Sequence, residues 1–170
     1  ANGDAAPLVR ANAAIALGNL AFDLSAFGAA REWYEESLRL RREIGDESGV
    51  ADALNNLALV VVAQGDHPAA ERLHEESLAL RRRLGTPYKL AISLANLGDA
   101  ALAVGDTGRA RALHEEALRI RREAEDHRGI AYSLYNLGEV DRVAGNLDAA
   151  AGTLRESFRR CVALGDLLGI

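Results

Sequence analysis

Two histidine-glutamate pairs, His74-Glu75 and His114-Glu115, are the first places in this sequence where metal chemistry could be sought. A zinc-hydrolase helix needs a second histidine four residues after the first, so that both imidazoles share a face. Those positions hold Leu78 and Leu118, and both pairs fail. Gly105 and Gly108 are not followed by the Gly-Lys-Ser/Thr of a phosphate-binding loop. Cys161 is the only cysteine, which excludes an intramolecular disulfide and a paired-thiol zinc site. No metal, cofactor or catalytic residue is expected, and an enzyme is the least favoured class.

Other polar residues recur in rows. Asn56, Asn96 and Asn136 each stand one place before a leucine, where core filling does not require an amide. An amide offers two donors and an acceptor, so it could tie neighbouring helices or pair with the backbone of a bound chain. Arginines form a second row: Arg39/Arg41/Arg42, Arg81/Arg82/Arg83, Arg119/Arg121/Arg122 and Arg159/Arg160. Cations near a helix C-terminus oppose the helix dipole, and Glu35 to Arg39 and Glu115 to Arg119 are spaced for i, i+4 pairing. That reading is preferred to nucleic-acid binding, because the chain carries a net charge of -5 and no aromatic residues interleave with the arginines. Cys161 shares the register of Arg41, Arg81 and Arg121 and is expected to be exposed.

The rows follow from a repeat of 40 residues. Leu54-Asn55-Asn56-Leu57-Ala58 returns as Leu94-Ala95-Asn96-Leu97-Gly98 and Leu134-Tyr135-Asn136-Leu137-Gly138, with a worn copy at Ala14-Ile15-Ala16-Leu17-Gly18. Four units cover residues 11–50, 51–90, 91–130 and 131–170. Gly65-Asp66, Gly105-Asp106 and Gly145-Asn146 divide the last three units into two helices each, pairing a glycine that tolerates the left-handed region with an N-capping side chain. Apolar residues at i, i+3, i+4 and i+7, as in Leu54, Leu57, Ala58 and Val61, give each helix a buried stripe. The spacing predicts eight helices near 8–26, 29–44, 47–64, 67–84, 87–104, 107–124, 127–144 and 147–164. His74 and His114 fall in the slot of Tyr34 and Leu154, which makes them packing residues.

Composition agrees: 49% hydrophobic, 26% charged and only 5% aromatic residues describe a helical globular chain. No apolar run is long enough to span a bilayer and no signal-peptide pattern opens the sequence, so the expected partners exclude membrane and the expected location is cytoplasmic. Arginine supplies all but one of the 20 basic residues and methionine is absent, as in a segment of a longer bacterial protein.

The residues Leu94-x-x-Leu97-Gly98, then Ala110-x-x-x-His114, resemble the tetratricopeptide repeats. The resemblance covers residues 11–170, although the unit is longer than the usual 34 residues, Arg-Arg-x-x-Gly-Asp stands for the closing proline, and Asp141 breaks the apolar pattern. Units of this length look like those of kinesin light chains, the cell-polarity adaptors and bacterial multidomain ATPase regulators of transcription. The resemblance implies a right-handed α-solenoid of four antiparallel hairpins, whose first helices line a concave groove that binds a protein or peptide segment. It would place Asn56, Asn96 and Asn136 on the peptide backbone. Asp52, Asn55, Asp99, Tyr132, Tyr135, Glu139 and Arg142 complete a mildly acidic groove suited to a basic partner. The alternative is an effector-sensing module of a multidomain regulator, holding a small ligand in the same place. Leu154, Phe158 and Val162 on the last helix are expected to promote self-association through the C-terminal end, where Gly165 to Ile170 copies the opening of another unit.

Overall fold

In the computed structural model, which describes residues 5–165, the chain is all-α among those residues: α1 (Ala5–Asp23), α2 (Phe27–Glu43), α3 (Glu47–Ala63), α4 (His67–Leu84), α5 (Pro87–Ala103), α6 (Thr107–Glu123), α7 (His127–Val143) and α8 (Leu147–Ala163). The expected helices are present. The first lies about three residues earlier than its spacing predicts, because its hairpin turns without glycine: Ser25 takes φ 56, and Ala26 N–H closes the helix on the Ala21 carbonyl at 2.8 Å. The copy of a further unit beyond Gly165 lies outside the described residues.

Aspartates set four of the helix starts. Asp46, Asp106 and Asp126 each accept a hydrogen bond at 2.9 Å from the backbone N–H three residues on, and Asp66 does so at 3.1 Å. Asn146 departs from the expectation and makes no side-chain cap bond. At Thr86, which also makes none, Pro87 opens α5 instead.

The chain divides after Leu84 into two units. In the first, α1 packs on α2, α2 on α3 and α3 on α4. Its core joins Tyr34 and Leu38 of α2 to Val50, Leu54, Leu57 and Val61 of α3. In the second, α5 packs on α6, α6 on α7 and α7 on α8, and α5 also touches α7. Leu118 of α6 meets Ile130, Leu134 and Leu137 of α7 there.

Close approach within a hairpin depends on one small residue facing one large one. A Cβ at Gly18 would lie 2.4 Å from the Tyr34 ring, and one at Gly98 would lie 2.7 Å from His114. A serine then bonds the helices: Ser37 Oγ donates to the Ala11 carbonyl at 3.0 Å, Ser77 to Ala51 at 2.9 Å and Ser157 to Ala131 at 2.7 Å. Asp141, the apparent break in the pattern, is buried and paired at 2.5 Å with Arg111 across α6 and α7.

Candidate functional site

The arginine row corrects two expectations. Arg39 pairs with Glu36 at 2.8 Å and Glu43 at 2.5 Å rather than with Glu35, and Arg119 pairs with Glu123 at 2.7 Å rather than with Glu115. These acids lie nearer the cationic end of each helix. More consequential, Arg81 and Arg121 are buried at 2% and 8% exposure, and Cys161 in the same register is buried as well, not exposed. This register faces inward because it sits four residues after the serine position that touches the first helix of the hairpin.

Within the second unit, α5, the end of α6 and the start of α7 enclose a hollow of about 300 Å³. Tyr88, Ile92, Asn96 and Asp99 come from α5, Arg121 from α6, and Tyr132 and Asn136 from α7, with Asp126 and Arg128 at the joint. The i, i+4 steps from Tyr88 to Ile92 to Asn96, with Asp99 three further on, place one helical stripe along the wall. Tyr132 and Asn136 repeat the step on the opposite wall.

The floor is a buried polar chain. The Asn136 amide nitrogen lies 3.4 Å from His114 Nδ1, so the amide donates to a neutral imidazole that keeps its proton on Nε2. That Nε2 is buried, lies 3.4 Å from Asp99 Oδ1, and is too poorly directed to form a hydrogen bond. Burial lowers the His114 pKa to about 4, with the Arg121 charge acting in the same direction. Asp99 lines the hollow with 58% of its side chain exposed, and desolvation there raises its pKa to about 6, against the pull of Arg121. The direction is that of a carboxylate without a contacting cation.

Four of the residues expected at a binding surface, Asn96, Asp99, Tyr132 and Asn136, are thus brought together. Tyr135 is 37% exposed on α7 outside the hollow's lining. Glu139 and Arg142 bond each other at 2.8 Å, one turn further along α7. Asn55, Asn56 and Asp52 belong to α3 in the first unit, where Asp52 pairs with Arg81. Sequence reasoning did not assign Tyr88, Arg121, Asp126 and Arg128 to the site. The signal for Arg121 was present: it lies 29 residues after Ile92, at the spacing that joins Arg41 to Asn12 at 2.7 Å and Arg81 to Asp52.

Paired helices of matched length and small-on-large packing inside the hairpins define a helical-hairpin repeat protein. The chain belongs to the tetratricopeptide repeat family, whose model matches residues 9–83 and 89–161. Among solved structures it is similar to BtubC (BKLC) from P. vanneervenii, with 28% identity, a TM-score of 0.83, and coverage of 94% of this chain and 66% of that one. It shares its fold with a Rap protein complexed with Competence and Sporulation Factor, at 14% identity and TM-score 0.85, covering 94% of this chain and 44% of that one. The kinesin light chain TPR-like repeats of Podosopora anserina match at 17% identity and TM-score 0.77, covering 92% of this chain and 76% of that one. The chain therefore spans about two thirds of the BtubC chain and less than half of the Rap chain. No curated protein matches the sequence.

Proposed function

We propose that this chain is a cytoplasmic binding scaffold, not an enzyme, and that the hollow of the second unit anchors an extended peptide or a partner's loop. The observation that carries the reading is the hollow itself, where two exposed tyrosines stand over amides and charges on helical walls. At about 300 Å³ it holds one or two side chains and lies at the lower end of the range for small-molecule sites. A peptide side chain therefore suits it better than a free effector. Asn96 and Asn136 both line the hollow, Asn136 with one amide hydrogen given to His114. A solved neighbour complexed with a factor supports the use of this fold for binding.

The charges on the hollow's lining, Asp99 and Asp126 against Arg121 and Arg128, do not select a basic partner. Of the three carboxylates that suggested it, Asp52 and Glu139 are neutralised by Arg81 and Arg142. Selection from a random peptide library tests the proposal. Peptides retained by the folded chain should move the NMR resonances of Tyr88, Asn96 and Tyr132. Shifts confined to other surfaces would remove the hollow from the account.

A further inference from the structure

One register position holds Arg41, Arg81 and Arg121, and the three differ in how their charge is met. Arg41 bonds Asp46 at 2.5 Å, Asn12 at 2.7 Å and Ser37 at 3.2 Å. Arg81 bonds Asp52, with Ser48 at 3.2 Å. Each therefore has a contacting carboxylate. Arg121 uses only Nη1, which donates to the Gly129 carbonyl at 3.1 Å and to Ser133 Oγ at 2.8 Å. Ile92 occupies the position that supplies Asn12 and Asp52, so no polar group stands there. Asp126, the counterpart of Asp46, caps α7 through the Gly129 N–H at 2.9 Å. Both Asp126 and Asp99 act on Arg121 from beyond ion-pair distance.

The result is an arginine, 8% exposed as a residue, that lines the hollow with no contacting carboxylate among the described residues and with Nε and Nη2 unused. Taking a charge out of water without an opposite partner is costly, and a planar group with parallel N–H bonds left over is shaped for a bidentate acceptor. Arg128 on the same lining adds a second cation, while Asp99 and Asp126 oppose it.

We propose that the hollow of the second unit receives a carboxylate side chain of the bound peptide, a glutamate or aspartate, on the unused edge of Arg121 between Tyr88 and Tyr132. The inference rests on the peptide-binding reading above and specifies its anchor. In effect the ligand supplies the carboxylate that Asp52 supplies to Arg81.

The test uses capped pentapeptides, Ala-Ala-Glu-Ala-Ala and its glutamine counterpart, with sodium acetate as a free carboxylate. Binding is read from the Arg121 side-chain Nε resonance. The glutamate peptide should bind about tenfold more tightly than the glutamine peptide, as a charge-assisted hydrogen bond implies. Ile92→Asp should erase that preference by filling the site from within, while Arg121 keeps its bonds to Gly129 and Ser133 and circular dichroism confirms folding. Equal affinity for the two peptides, or a preference that survives Ile92→Asp, overturns the carboxylate anchor but leaves a peptide site in place. A response of Arg121 to acetate with no response to either peptide supports the anchor's chemistry and overturns the peptide reading. Silence of Arg121 towards all three overturns the anchor.

Discussion

His74 and His114 sit in the slot that Tyr34 fills in the first repeat and Leu154 in the fourth, and both are about 1% exposed. Burial lowers each pKa from 6.5 to about 4. Between those values the unfolded chain takes up a proton at each site and the folded chain does not. Their contribution is complete above pH 6.5 and is lost as pH falls towards 4, on the order of 3 kcal/mol for each. Asp99 works in the opposite sense, since its folded pKa rises from 3.8 to about 6 and the folded chain gains a proton across much of the same window. Two groups against one leave the histidines in control. Melting temperature should therefore drop as pH is lowered from 7 to 4.5, and His74→Leu with His114→Leu should make that drop smaller. A double variant as acid-sensitive as the parent would show that the imidazoles are not the cause.

At the scale of the helix pair, two turns are made by residues with a Cβ in the left-handed region, Ser25 at φ 56 and Glu125 at φ 53. Glycine stands at the matching turns, Gly105 at φ 83 in the register of Ser25 and Gly45 at φ 71 in that of Glu125. Replacing Glu125 with Gly should relieve this cost and raise stability by about 0.5–1 kcal/mol, measured by denaturant unfolding. A loss of stability would mean that Glu125 makes a compensating interaction. Helix positions were legible in the sequence because the 40-residue register repeats without a gap and each aspartate or proline marks a start. The site was legible only in part. Asn96, Asp99, Tyr132 and Asn136 lie on stripes that periodicity shows, whereas Arg121 belongs to a row that helix-dipole reasoning assigns to solvent. Its register turns inward four residues after the position of Ser37 and Ser77, a relation visible only when Asn12, Asp52 and Ile92 are set beside the arginines 29 residues later.

For the molecule as a whole, the same register predicts where it meets other copies. Leu38 and Leu118 are buried at 7% and 6% against the helix that follows, while Phe158 in the same position is 59% exposed and Val162 is 47% exposed. We expect this apolar face of α8 to make the chain associate with a second copy, with sedimentation that depends on concentration and is abolished by Phe158→Glu. Sedimentation as a monomer at every concentration would leave that face without a role in assembly. The central claim, that the hollow of the second unit is the binding site, is tested most directly at Tyr132, which lines it and is 53% exposed. Truncating so exposed a side chain should scarcely disturb the fold, yet it removes a large anchor from the peptide's path. The measurement is the affinity of a library-selected peptide for Tyr132→Ala, taken with the variant's melting curve. An unchanged melting temperature with affinity reduced about fivefold or more is the predicted result, and unchanged affinity in the folded variant contradicts the account.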